Sequence, residues 1–314
     1  MTVTGERVGL HPAVDRVLAG WPADVGSRAA AALRVMLGGR AAADGTAAWT
    51  SSRLTGDGFP VEVGFATGDD DLRLTVEPGG IHLDPWRRLD VTLGVLAELN
   101  CPAVPAPTLA ECRRLQVGGL RYGTWLGCRI RAAQSGYKLY VEVADGAEPP
   151  SGLVAPKREA QLRMVGCVPG SGVWETYFRI RDLDPLELAG VLAPAGFGGR
   201  AAELREALAE AYGHRLGERL PGRSVGVSYG FSAAGEPVGV TLFLFARAFW
   251  GPDARIRARF GAEARALGWD DVRYQAVTAP LSARRDGRTA HGILGFTLLP
   301  GGRRALSMGV RPPC

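Results

Sequence analysis

Lys138 is the residue from which chemistry is most easily built. The 314-residue chain carries 37 basic side chains, and only Lys138 and Lys157 among them are lysines. Arginine serves wherever else a cation is needed, so a lysine inside an apolar strand stands out. It lies in the run Lys138-Leu139-Tyr140-Val141-Glu142-Val143. Extended chain alternates its faces, so Lys138, Tyr140 and Glu142 share one side and Leu139, Val141 and Val143 the other. The same alternation sets Arg73, Thr75 and Glu77 against Leu72, Leu74 and Val76, and Glu175, Tyr177 and Arg179 against Thr176, Phe178 and Ile180. Thr241, Phe243 and Phe245 face away from Leu242 and Leu244; Glu62 lies between Val61 and Val63, and Arg129 between Cys128 and Ile130. A wall of this kind can hold a phosphate or diphosphate on its cations. Its rings can stabilise a carbocation through their quadrupoles, and its carboxylates can orient a donor or accept a proton.

These residues need strands to position them, and the chain supplies strands in pairs. Five times, two strand-like runs flank a turn rich in Gly, Asp or Ser. The pairs are Phe59 to Ala66 with Asp71 to Glu77, Tyr122 to Ala132 with Tyr137 to Val143, and Gln161 to Cys167 with Val173 to Arg179. Ser224 to Phe231 with Val238 to Ala246, and His291 to Leu298 with Ala305 to Val310, complete the set. The second pair is expected to turn near Gln134-Ser135-Gly136. Helical stretches separate the hairpins. They cover Ala13 to Leu37, Trp86 to Leu99 behind Asp84-Pro85, Leu186 to Leu192 behind Asp184-Pro185, Ala201 to Tyr212, and Ala254 to Leu267. Ala147 to Arg158, with three prolines, reads as a loop.

The expected fold class is α/β: a ten-stranded antiparallel β-barrel enclosing a lumen, ringed outside by α-helices, as one domain over residues 1–314. Closure removes exposed sheet edges, and ten strands leave room for a ligand. The competing architecture is two separate α+β sheets of four and six strands. In a helix-wrapped barrel the apolar faces point outward, so the polar faces line the lumen.

Composition narrows the function. Hydrophobic residues make up 46% and charged residues 22%, the balance of a soluble globular protein. No apolar run reaches the ~20 residues of a membrane span, and the first residues lack the apolar stretch of a signal peptide. Five cysteines without a CxxC pair argue for a reduced, cytoplasmic protein with neither a disulfide framework nor a zinc knuckle. The net charge of +5 is spread along the chain, so nucleic acid is not an expected partner. His11, His82, His214 and His291 do not cluster, and Asp69-Asp70-Asp71 lies at a hairpin tip where acids serve the turn, so no metal site is expected. Arg73 has two readings, a phosphate ligand or an ion-pair partner of Glu77.

With these residues in view, the chain resembles the ABBA-type aromatic prenyltransferases, including the dimethylallyltryptophan synthase branch and the cyanobactin prenyltransferases. That family's fold (the ABBA, or PT-barrel) is a ten-stranded antiparallel barrel inside a ring of helices. Gly58-Phe59-Pro60-Val61-Glu62-Val63 is similar to the family's Gly-x-Pro-x-Glu strand, Leu72-Arg73-Leu74-Thr75-Val76-Glu77-Pro78 to the strand that follows, and Lys138-Leu139-Tyr140 to its Lys-x-Tyr pair. The resemblance implies transfer of a dimethylallyl or longer isoprenoid from its diphosphate to an electron-rich aromatic acceptor, such as indole, tryptophan, a peptide or a phenol. It implies Glu62 as the catalytic residue that binds the acceptor N–H and takes up the proton. Arg73, Lys138 and Arg129 would bind diphosphate, and Tyr140, Tyr177, Tyr229 and Phe243 would shield the cation. No cofactor is implied, and magnesium would at most stimulate. The partners are small-molecule substrates. The chain departs from the family where Glu175-Thr176-Tyr177 replaces a second Lys-x-Tyr, and at Thr241-Leu242-Phe243 and Ser307-Met308-Gly309. That thinner cation set keeps an alternative open: a barrel of the same fold repurposed as a non-prenylating cyclase, tailoring enzyme or aromatic-metabolite-binding protein.

Overall fold

The computed structural model describes residues 9–38, 49–80, 82–150, 152–283 and 289–313. The N-terminal residues read for a signal peptide lie partly outside these, and Cys314 lies wholly outside them.

Ten strands close into one antiparallel barrel in which each pairs with its sequence neighbours and β1 (Val61–Ala66) pairs with β10 (Arg304–Val310). The others are β2 (Leu72–Val76), β3 (Thr124–Ile130), β4 (Ser135–Glu142), β5 (Gln161–Cys167), β6 (Trp174–Arg181), β7 (Ser224–Phe231), β8 (Pro237–Phe245) and β9 (His291–Leu298). The two-sheet alternative is therefore excluded. Each strand falls on an expected run, with ends shifted by a few residues. The second turn comes earlier than expected, at residues 131–134. It is closed by Arg131 N–H donating to Gln134 C=O at 3.0 Å, so Ser135 and Gly136 belong to β4.

The hairpin turns all lie at one rim of the barrel; the helical connections all leave from the other. Helices α1 (Pro12–Leu18) and α2 (Ala23–Met36) lead into the barrel. Between hairpins come α3 (Arg88–Glu98), α4 (Ala106–Leu115), α5 (Leu188–Leu192), α6 (Ala201–Tyr212), α7 (Ala246–Trp250), α8 (Asp253–Ala266) and α9 (Val272–Thr278). The segment α4 was not expected, because its polar run masks a short buried seam of Cys112 and Leu115. Asp184 caps its helical turn through a capping box, whereas Asp84 makes no capping bond. The described residues of 147–158 form no helix.

The core lies between barrel and helices. Val61, Val63 and Phe65 of β1, Leu72, Leu74 and Val76 of β2, and Leu126, Cys128 and Ile130 of β3 are all buried there. Helix α2 lies over β2 and β3, α3 over β3, and α7 over β8 and β9. Each such side chain contributes about 1.5–3 kcal/mol of transfer free energy. The apolar face of every strand is thus committed outward, which leaves the polar face no place but the lumen.

Candidate active site

The lumen wall is shaped by glycines as much as by functional side chains. Gly127 faces Tyr140, Gly166 faces Lys138 and Tyr177, Gly226 and Gly295 face Phe243, and Gly309 faces Glu62. A Cβ at Gly127 would lie 2.8 Å from the Tyr140 ring, and one at Gly166 2.6 Å from Lys138 Cε. These strand positions need room, not special backbone angles. The large side chains lie across the neighbouring strands because those strands lack side chains there. This is the part of the site that sequence reasoning missed. Its signal was available: glycines at lumen-parity positions inside strands, where glycine otherwise weakens a sheet.

Glu62 is the second residue of β1, at the rim from which the helices leave. Its carboxyl group lies against Gly309 and Gly292, where added Cβ atoms would come within 2.5 Å and 3.1 Å of it. Among the described residues it has neither a hydrogen-bond nor an ion-pair partner. Burial alone pushes its pKa up to about 7. It borders a cavity of about 690 Å³ with Asp57, Ser224, Phe245, Ile293 and Arg311.

Around the wall, Lys138 of β4 ion-pairs with Glu175 of β6 and lies 3.0 Å from the Tyr177 hydroxyl. Its ammonium sits 5.1 Å from the Tyr140 ring centre and 5.5 Å from that of Tyr177. Tyr140 meets Tyr177 edge-on at 5.9 Å, and Tyr177 stacks on Phe243 at 6.0 Å. The three rings and the lysine form one continuous cage on β4, β6 and β8. Burial opposes the Lys138 charge, but the Glu175 carboxylate, with Tyr140, outweighs it and holds its pKa above the ordinary lysine value. Burial likewise opposes the Glu175 charge, and Lys138 reverses that, holding Glu175 below the ordinary glutamate value. Burial and the Glu175 charge push the Tyr177 hydroxyl well up, so it stays a neutral donor. Lys138 and Glu175 keep 23% and 19% of their side-chain surfaces open, so a ligand in the lumen can reach them.

Arg73 and Arg129 lie nearer the hairpin rim, paired across β2 and β3. The expected choice for Arg73 between Glu77 and a phosphate meets a third answer: its guanidinium binds Asp69 at 2.6 Å. Arg129 binds Asp69 at 2.6 Å and also Asp71. The acidic hairpin tip therefore does more than serve the turn, because its carboxylates are the counter-ions of two lumen arginines.

Several polar residues of the barrel and its rims are committed to structural partners. Tyr229 is a correction: it lies on the outward face of β7, fully buried, and its hydroxyl donates to Val191 C=O at 2.5 Å. The parity of β7 places Val225, Val227 and Tyr229 under the helices, so Tyr229 cannot shield a cation in the lumen. Glu142 accepts N–H groups from Arg121, Tyr122 and Gly123, clamping the loop that leads into β3. Glu77 accepts the Arg53 N–H and lies 3.6 Å from Arg88. Arg163 pairs with Asp145 and Arg311 with Asp57. His291 is enclosed between Asp253 at 2.7 Å and the Tyr274 hydroxyl at 2.9 Å, a buried chain that ties β9 to α8 and α9. Among the described residues no three His, Cys, Asp or Glu side chains gather as a metal-ligand set, and no helix is long and apolar enough to cross a membrane.

No protein-family profile matches the chain, and no curated protein matches it in sequence. Solved structures match it over nearly its whole length. A 6-dimethylallyltryptophan synthase from Micromonospora olivasterospora, solved in complex with DMASPP and Trp, is similar with a TM-score of 0.75 and 19% identity, over 97% of this chain and 100% of that one. A 5-dimethylallyltryptophan synthase from Streptomyces coelicolor has a TM-score of 0.72 and 16% identity, over 96% and 95% of the two chains. AnaPT from Neosartorya fischeri has a TM-score of 0.67 and 16% identity, over 99% and 95%. At such identities the match speaks for architecture, and that architecture is the helix-wrapped, ten-stranded barrel shared by these dimethylallyltryptophan synthases.

Proposed function

We propose that this protein transfers an isoprenoid group from its diphosphate to an electron-rich aromatic acceptor inside the barrel. One observation carries the reading: the same lumen holds a ring cage around a lysine and, on another wall, a half-buried carboxyl group with no hydrogen-bond or ion-pair partner among the described residues. The ring cage of Tyr140, Tyr177 and Phe243 suits an allylic cation, whose charge the ring faces stabilise by about 0.5–2 kcal/mol each. The lone carboxylate, Glu62, suits the acceptor.

In the proposed step the allylic C–O bond breaks and the diphosphate leaves with the electron pair. Lys138, with Arg73 and Arg129 on the rim side, attracts the leaving group. The acceptor ring forms a new C–C bond to the cation, and the proton displaced from the ring passes to Glu62. A base with a pKa of about 7 is both ionised and usefully basic near neutral pH. The barrel wall keeps water from the cation. Side-chain cations carry the diphosphate charge in this reading, so magnesium acts as a stimulant at most, which turnover in the presence of a chelator checks. Among the structures sharing this fold, those solved with DMASPP and Trp make tryptophan the first acceptor to try.

The test is incubation with dimethylallyl or geranyl diphosphate and tryptophan, indole or tryptophan-containing peptides, read by mass spectrometry. Alkylated product that disappears in Glu62→Gln supports the reading. Absence of product from every pair, with no binding of an unreactive diphosphate analogue, would sink it. In that case the repurposed barrel, binding an aromatic metabolite without prenyl transfer, becomes the account to pursue.

A further inference from the structure

The cations that would receive a diphosphate are already occupied. Lys138 is held by Glu175, Arg73 by Asp69, and Arg129 by Asp69 and Asp71. Each of these cations faces a carboxylate, and Arg131 also pairs with Asp71, so much of their positive charge is already matched before a multiply charged anion arrives. Asp69 and Asp71 sit on a hairpin tip at the barrel rim, where water can screen them. Glu175, the second residue of β6, lies between Gly166 of β5 and Gly230 of β7.

Side chains of β4, β6 and β7 face Glu175. Lys138 and Tyr140 come from β4 and Tyr177 from its own strand; from β7 comes Ser228, whose hydroxyl favours the ionised Glu175 carboxylate. The ionisable side chain of β5 nearby, Cys167, is buried beside Lys138. Lys138 is thus the one cation among them. An anion that takes Lys138 leaves Glu175 beside like charge in a poorly solvated wall, a setting that favours its neutral form.

We propose that Glu175 is the resident counter-ion of the donor site: a diphosphate binds by taking Lys138 from it, and the released carboxyl group takes up one proton from solvent. The inference rests on the diphosphate reading above. It makes donor affinity fall as pH rises, and it makes Glu175 the residue that sets how strongly charged an anion the lumen accepts. No bond of the diphosphate changes in this step; the proton ends on a Glu175 carboxyl oxygen.

The experiment is calorimetric titration with dimethylallyl thiolodiphosphate across the neutral pH range, in buffers of different ionisation heat, for wild type and Glu175→Gln. The analogue's own protonation, measured free in solution, is subtracted. The expected result is an uptake of about one proton per ligand by wild type that the variant lacks. At the alkaline end the variant should bind about tenfold tighter. Wild-type binding without that proton uptake would overturn the proposal while leaving the diphosphate reading intact, and this readout needs no variant to fold. Equal affinity and equal proton counts in the two proteins would overturn it as well. Failure of both folded proteins to bind the analogue would overturn the diphosphate reading, and this proposal with it.

Discussion

Two carboxyl groups, Glu62 and Glu175, face the same lumen from strands five apart in either direction around the barrel. Both are removed from bulk water, and burial pushes both toward the neutral form. Glu62 lies against the backbone of Gly309 and Gly292 with no charged partner among the described residues, so burial decides, and its pKa rises to about 7. Glu175 meets Lys138, so the ion pair decides, and its pKa falls. The lesson is that burial does not assign a role; the partner does. A carboxyl group alone in a dry wall becomes a proton acceptor near neutral pH, whereas one beside a lysine becomes a charge to be displaced.

The comparison breaks most visibly at Glu62. Glu62→Gln should lower turnover by about a hundred- to ten-thousandfold, and wild-type kcat should fall as pH drops below about 7. A Glu62→Gln enzyme of unchanged kcat would remove the base from the account. At Glu175 the matching experiment is a double-mutant cycle read by denaturation. Lys138→Met alone strands a buried carboxylate and should cost about 3 kcal/mol, most of it recovered when Glu175→Gln is added. Additive losses would show that the two side chains act independently.

Stability against pH sharpens the contrast. Below the ordinary glutamate range Glu62 is neutral in both folded and unfolded chains, and it costs nothing. As pH rises from the ordinary glutamate range to about 7 it ionises more readily unfolded than folded, so its presence weighs progressively against folding, and above about 7 the penalty stays constant. Glu62→Gln should therefore match wild type in acid and exceed it by about 1–3 kcal/mol in alkali, as measured by urea unfolding at the two extremes. A smaller effect is expected at Gly309→Ala. Its Cβ would crowd the Glu62 carboxyl carbon at 2.5 Å, and turning that side chain aside should lower kcat about tenfold with little change in unfolding midpoint. Least of all, Tyr229→Phe should lose about 1 kcal/mol of stability with its bond to Val191 and leave analogue binding untouched.

The barrel was legible because two signals agreed. Turn residues marked five hairpins, and the strict alternation in runs such as 138–143 and 72–76 separated wall from core. Glu62, Lys138, Tyr140, Tyr177 and Phe243 all face the lumen as that alternation requires. Tyr229 was misread because β7 alternates small residues, Gly226, Ser228 and Gly230, with its large ones, and polarity alone did not say which face was inward. Ion pairing was the least legible layer. The bonds of Arg129 to Asp69 and Asp71 and of Lys138 to Glu175 join residues distant in sequence, and only barrel closure brings them together. The unexpected weight of glycine has the same origin: a strand glycine matters only once the ring lying across it is known.

The measurement that bears most directly on the central contrast is carbon-13 NMR of the side-chain carboxyl groups in glutamate-labelled protein, with Glu62→Gln and Glu175→Gln supplying the assignments. The account predicts that the Glu62 signal titrates near pH 7 while the Glu175 signal remains that of a carboxylate down through the ordinary glutamate range. Two signals titrating together at the ordinary value would contradict it.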